Sequence, residues 1–205
     1  MNALAALARL RTLGVPVVQT ADASAVLEEG ADAARKTLGR LATAGHVERV
    51  RSGTWWLHPP VDRLRLASLL TGPLDSYLSL HTALHLHGLI EQIPIVVYAV
   101  TQARTERIAT TVGDYSFHHV AAELFGGFEE AQGGAWLATP EKALFDTAWL
   151  SAGRSRLFAS LPEVELPRGF RRSELQRWVA KVEDPRRRVM VTRRLEAIVG
   201  CAGSR

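Results

Sequence analysis

Cysteine is almost absent from this chain of 205 residues: Cys201 stands alone, near the C-terminus. A single thiol cannot close an internal disulfide, so nothing in the sequence points to an oxidising compartment. Long apolar runs are missing too. The longest, Ile93 to Val100, has eight residues including a proline, against the roughly 20 that a membrane-spanning helix needs. The opening MNALAALARLRTLG carries arginines inside its apolar pattern and has no clear h-region, so it does not read as a signal peptide. Lysine is scarce, with three among 25 basic residues; we read that Arg and Ala richness as genome bias. Apolar residues at 47% and charged residues at 22% match ordinary globular domains and exclude disorder or a collagen-like chain. The expectation is a soluble, cytoplasmic protein with no membrane contact, built as one large or two small domains.

Several catalytic signatures are also lacking. There is no Gly-rich phosphate loop of either common type and no Gly-x-Ser-x-Gly elbow. No two aspartates sit one residue apart, so the carboxylate pair of nucleotidyl-transfer sites is not offered locally. His81 and His85 lie four apart, a metal-ligand spacing. The metalloprotease pattern needs glutamate directly after the first histidine, however, and Thr82 stands there. No third ligand is evident. The sequence therefore predicts no catalytic residue, no cofactor and no metal, and a hydrogen-bonded structural role for these histidines.

Charge is present but uneven. The formal total is +4; residues 1–58 carry +2, residues 59–165 carry −5 and residues 166–205 carry +7. Basic ends around an acidic middle suggest nucleic-acid contact by the ends.

The first sixty residues change periodicity in an informative order. Residues 2–13 read as an amphipathic helix ended by Gly14 and Pro16. Val17-Val18 suits a short strand, and Thr20 or Asp22 can cap a second helix that Gly30 breaks. A third helix, Ala31 to Ala44, buries Ala31, Ala34, Leu38 and Leu41 and offers Asp32, Arg35, Lys36 and Arg40 on its opposite face. After Gly45 the period becomes two. His46–Val50 and Thr54–His58 form strands joined at Ser52-Gly53, which brings Arg49 and Arg51 near the hairpin tip. Of the adjacent Trp55 and Trp56 one should face inward, Trp55 with Leu57, leaving Trp56 on the outer side to touch DNA sugar or pack on the second domain. Helix, strand, helix, helix and hairpin in this order is the winged helix-turn-helix arrangement, whose third helix fits the major groove. An ordinary solvated basic face would present the same residues on the third helix.

Pro59-Pro60 marks a boundary, giving a DNA-binding domain over 1–60 and a mixed α+β domain over 61–205. In the second domain we expect a linking helix over Asp62–Leu70 and a helix opened by Asp75 or Ser76 and ended at Gly88. A buried strand Ile93–Thr101 follows, then two strands turning at Gly113-Asp114, and a short strand Ala135–Ala138. Thr139-Pro140-Glu141 is a helix start with a hydroxyl cap, proline at the first position and glutamate at the positive end. Two C-terminal helices, about Arg171–Val182 and Pro185–Val199, complete the α+β fold. The last should dock through Val189, Val191, Leu195 and Val199 and point Arg186, Arg187, Arg188, Arg193 and Arg194 outward. Those arginines suit either a solvated face or a second phosphate-contacting surface.

These residues carry a resemblance. Gly30-Ala31-Asp32, Lys36, Leu38, Leu41, Gly45-His46-Val47, Arg49-Val50-Arg51 and Gly53 resemble the N-terminal winged helix of AbiEi-family antitoxins. The stretches SYLSLHTALHLHGLIEQIP (76–94), VVYAVT (96–101), GDYSFHHV (113–120) and ATPEKALFD (138–146) resemble the family's second domain and stand in its order. The resemblance implies an antitoxin of a type IV, abortive-infection pair that represses its own promoter at inverted repeats in double-stranded DNA. It also implies a functional partner, a nucleotidyltransferase toxin. His87, Glu141, Lys142 and Asp146 match motif positions of the second domain; capping and ion pairs within the domain account for the last three equally well. A stand-alone winged-helix transcription factor whose second domain senses a ligand is the competing expectation.

Overall fold

Asn2 accepts the Leu4 N–H and so caps α1 (Ala3–Arg11), whose Ala6, Leu7 and Leu10 are buried. The computed structural model describes residues 2–152 and 163–202. Two compact units divide them, one holding the residues up to 63 together with 109–113, the other 64–108 and those from 114 onward.

In the first unit β1 (Val17–Gln19) follows α1, then α2 (Thr20–Leu27), α3 (Ala31–Thr43), β2 (Glu48–Arg51) and β3 (Thr54–Trp56). The cap of α2 is Gln19 rather than Thr20 or Asp22; Asp22 instead accepts the Gln19 N–H at 3.2 Å from inside the first turn. That helix ends at Glu28 in the left-handed conformation (φ 56°), and Gly30 serves as the N-cap of α3. Gly45 does take the positive φ (75°) that a residue just past a helix end favours. Strands β1, β3 and β2 make an antiparallel sheet in that order, with Val17 opposite Trp56 and Arg49 opposite Trp55. Gly53 turns the hairpin at φ 76°. The core joins Leu7 and Leu10 of α1, Leu27 of α2, Leu38 and Leu41 of α3, and Val47, Trp55 and Leu57. The Trp55 indole N–H donates to Thr20 Oγ1 at 3.0 Å. Trp56, on the opposite side of the strand, is buried as well and so is closed to DNA. It is 2% exposed and donates its indole N–H to the His58 carbonyl at 2.6 Å.

Thr111 also belongs to this unit. Its N–H donates to Val50 O at 2.9 Å and its hydroxyl to Arg49 O at 2.9 Å, along the outer edge of β2.

The second unit starts with α4 (Arg63–Ala67), shorter than the expected 62–70 helix and beginning on the last residue of the first unit. Where a helix was expected from Asp75 or Ser76, the chain forms β4 (Ser76–Leu78), and the helix α5 begins only at Leu80 (Leu80–Leu86). All three β4 residues are buried, so the segment lacks the alternation by which a strand is recognised. Strand β5 covers only Val97–Thr101; Ile93 and Ile95 are 73% and 89% exposed, outside the buried run expected there. The next strands, β6 (Glu106–Thr110) and β7 (Gly113–His119), turn at Thr111-Val112, two residues earlier than expected. A 3-10 turn (Ala122–Leu124), β8 (Phe128–Glu130) and β9 (Trp136–Ala138) lead to α6 (Pro140–Ser151), then α7 (Arg172–Ala180) and α8 (Pro185–Ala202).

The mixed sheet runs β6-β7-β5-β4-β9-β8. Strand β4 is antiparallel to β5, with Ser76 opposite Thr101, and parallel to β9, with Leu78 opposite Leu137. As expected, Thr139 caps α6 by accepting the Lys142 N–H, with Pro140 in the first turn. The core gathers Tyr77, Leu84, Val100, Leu144, Phe145, Leu175, Leu195 and Ile198, placing α6 among α5, α7 and α8. Val189 is half exposed; α8 docks through Val191, Leu195 and Ile198 instead, at helical spacing. No helix among the described residues is long and apolar enough to cross a membrane.

Candidate functional site

Helix α3 sorts its residues by face. Ala34, Thr37, Leu38 and Leu41 are buried, while Asp32, Arg35, Lys36 and Arg40 are exposed. Ala31, expected inside, is exposed, and Thr37 takes the fourth buried position. Thr37 tolerates that place because its hydroxyl donates to Glu29 Oε2 at 3.0 Å and accepts from Arg40 Nη2 at 3.1 Å. Arg35 pairs with Asp32 at 2.9 Å, both side chains well exposed. Lys36 and Arg40 line a shallow depression with Thr37, Gly39 and Thr43. In the hairpin, Arg49 is exposed and lies 5.8 Å from the Trp55 ring centroid, while Arg51 is half-buried and donates through Nε to Thr54 Oγ1 at 3.3 Å. Six of the proposed DNA-contacting residues thus belong to one unit, five of them exposed.

The C-terminal arginines are more engaged than their sequence implies. Arg187 stacks on Trp149 with its Cζ 3.4 Å from the ring centroid, and burial lowers its pKa. Arg188 Nε donates to Val182 O at 2.8 Å, and Arg194 Nε to Ser151 Oγ at 3.3 Å. Arg186 and Arg193 are exposed. Not all five arginines point outward, because α8 turns Arg187 and Arg194 toward α6.

Glu141, Lys142 and Asp146 are buried in α6, the last two completely. Asp146 Oδ1 receives the Lys142 ammonium at 2.5 Å; its Oδ2 receives Tyr77 Oη at 3.0 Å and Ser79 Oγ at 2.7 Å. Lys142 also donates to Leu124 O at 2.8 Å and sits 4.4 Å from the Trp178 ring centroid. Burial pushes the Asp146 carboxyl up and the Lys142 ammonium down, each opposed by the partner's charge. Tyr77 is raised well above 10, first by burial and then by the Asp146 charge. Leu80, next to Ser79, is buried in the left-handed region at φ 55°, a conformation that costs about 1–3 kcal/mol. Glu141 Oε1 accepts the Arg171 backbone N–H at 2.7 Å, fixing the start of α7. Tyr77, Ser79 and Trp178 were not anticipated. The available pointer was a lysine and an aspartate four apart on a helix otherwise apolar on several sides.

His87 Nε2 donates to Ala138 O at 2.7 Å, which assigns the proton to that nitrogen. His85 Nδ1 lies 3.4 Å from Ile90 O. Burial lowers the pKa of His81. Among the described residues no group of three His, Cys, Asp or Glu side chains is placed to hold a metal ion.

No protein-family model and no curated protein matches the sequence.

Proposed function

We propose that this chain is a DNA-binding regulator of the winged helix-turn-helix type, with α3 as its recognition helix and β2–β3 as its wing. The supporting observation is the division of α3: an apolar face in the core and Asp32, Arg35, Lys36 and Arg40 on the open side. At 1.5 Å per residue its 13 residues span about 20 Å, enough to lie in a major groove about 12 Å wide. Arg and Lys at such positions read guanine edges or phosphates. Arg49 and Arg51 supply positive charge on the hairpin. The target is an inverted repeat in the chain's own promoter, in double-stranded DNA.

The second unit is read, from the motif resemblance, as the antitoxin part of a type IV pair acting against a nucleotidyltransferase toxin. In this reading the chain acts by binding, without catalysis, and Lys142 with Asp146 holds the antitoxin fold together.

A mobility-shift assay with the protein's own upstream DNA tests the DNA reading. Specific retardation is expected at physiological salt. Arg35→Ala with Lys36→Ala should abolish it while the fold is kept, since both side chains lie outside the core. A lost base contact costs about 1–3 kcal/mol, and a lost phosphate contact lowers the salt slope by about one. Equal affinity for the promoter and a scrambled duplex would reject a regulator.

A further inference from the structure

Thr37 interrupts the apolar inner face that Ala34, Leu38 and Leu41 give α3, and it is 3% exposed. An alkyl side chain would fill that place without needing partners, whereas a buried hydroxyl must find them. The partners reach in from the open side of the helix. Glu29 Oε2 accepts the hydroxyl proton at 3.0 Å, and Arg40 Nη2 donates to the oxygen at 3.1 Å. A carboxylate can only accept, so Glu29 commits the hydroxyl hydrogen and turns the lone pairs of Thr37 toward Arg40. Glu29 is itself fixed in the turn between α2 and α3. Its N–H donates to Ser24 O at 3.1 Å, and its carbonyl accepts Ser24 Oγ at 2.5 Å. A chain of contacts thus runs from the backbone of the turn to one exposed guanidinium. Arg35, by contrast, pairs with Asp32, which is itself well exposed. Next to Arg40, nothing lies within 4 Å of where a Cβ on Gly39 would stand, so the approach there is open.

We propose, on the reading of α3 as the recognition helix, that Arg40 reads a guanine in each half of the inverted repeat and that Thr37 and Glu29 are its positioning residues. A phosphate asks only for charge, which a mobile side chain supplies; a base edge asks for direction as well. The guanidinium fork matches O6 and N7 of guanine in the major groove. The bond to Thr37 occupies one N–H of the guanidinium and leaves the others for that fork. Fixing the side chain before DNA arrives removes part of the ordering cost of binding.

The test uses the full chain and its own upstream DNA, with a scrambled duplex as reference. Thr37→Val should lower the ratio of the two affinities about tenfold, with the salt slope and the circular dichroism spectrum unchanged. Thr37→Ser, which keeps the hydroxyl, should restore the parent's ratio. Within the segment that the parent protects from nuclease, guanines are replaced one at a time by 7-deazaguanine, which lacks N7 and keeps the base pair. The parent should lose about tenfold in affinity at one guanine of each half-site, and Thr37→Val should be indifferent there. Glu29→Ala, at a half-buried position, should lower the ratio about threefold through the released hydroxyl. Loss of its charge alone acts the other way, raising affinity for both duplexes by one factor. Equal binding of both duplexes by the parent would reject the regulator and this role of Arg40 together. A parent that discriminates, while Thr37→Val keeps its ratio or Glu29→Ala strengthens both duplexes alike, would overturn the positioning role alone. Equal weakening of both duplexes by Thr37→Val, or a parent indifferent to every 7-deazaguanine, would make Arg40 a phosphate contact and overturn the guanine.

Discussion

Lys142 and Asp146 stand one helical turn apart on α6 with Nζ 2.5 Å from Oδ1, and neither side chain reaches solvent. Two charges removed from water are held by a set of donors drawn from separate elements: Tyr77 on β4, Ser79 before α5, and the ammonium itself. The ammonium in turn lies beside Trp178 of α7. The pair therefore ties α6 to the sheet and to α7, and its loss is felt in each.

Lys142→Met leaves the Asp146 carboxylate buried without its counter-charge. Denaturant unfolding should show a loss of about 3–5 kcal/mol, because breaking one side of a buried pair costs far more than removing both. Lys142→Met with Asp146→Leu should recover part of that loss. A double variant as unstable as the sum of the singles would mean that the two side chains do not act together.

His118 gives the fold an acid limb. It is buried on β7 and hydrogen-bonded to Ser116 at 3.0 Å; burial, then the Arg107 charge, lowers its pKa to about 4. The unfolded value is about 6.5, so the neutral ring is favoured by the folded state. This contribution is complete above pH 6.5 and is lost as pH falls through 4, by at most about 3 kcal/mol. His81, also lowered by burial, acts in the same sense. Urea midpoints measured at pH 7 and pH 4 should converge in His118→Gln relative to the parent. An unchanged pH dependence would show that His118 is not the titrating group.

Gly127 is required by contact as well as by conformation. It has φ +71°, and a Cβ there would come 2.6 Å from the Trp178 ring and 3.1 Å from Lys142 Cγ. Gly127→Ala should lower stability by about 1–3 kcal/mol. Gly169→Ala, which meets nothing within 4 Å, is the control and should unfold near the parent's midpoint.

The arginines of α8 should separate into two groups. Arg186→Gln with Arg193→Gln, both exposed, should reduce affinity for promoter and scrambled DNA by similar factors and flatten the salt dependence, with the ratio between the duplexes nearly constant. Arg187→Gln should instead shift Trp149 fluorescence and cost about 0.5–2 kcal/mol of stability through the lost stacking. Binding to both duplexes unaltered by the first variant removes α8 from DNA contact.

Legibility in the sequence followed locality. Thr139-Pro140-Glu141 announces the start of α6 because cap, proline and acid act within one turn, and the α3 face is readable because its apolar spacing is strict. Ser76–Leu78 misleads because a three-residue strand buried throughout has no period to detect. For Trp56 the alternation left two outcomes open, because it does not say whether the far side of the strand is covered, and the ring is buried. Lys142 and Asp146 are visible as a pair, but their burial depends on Tyr77 and Ser79, nearly seventy positions away. Arg187 looks like part of a basic run, and only the packing of α8 on α6 reveals Trp149 beneath it.

Thr111 binds Arg49 O across 62 positions of sequence, and this orders events during synthesis. A ribosome that has just released residue 63 has made three strands and three helices, yet the outer edge of β2 still offers bare carbonyls at Arg49 and Val50. An open edge of that kind invites pairing with a foreign strand. The bonds that occupy it arrive only with the β6–β7 turn, so a nascent chain cut short before that turn carries a sticky border that the finished protein covers. A gene fragment meant to yield the first unit alone should therefore end in a self-associating product unless the 109–113 segment is supplied with it.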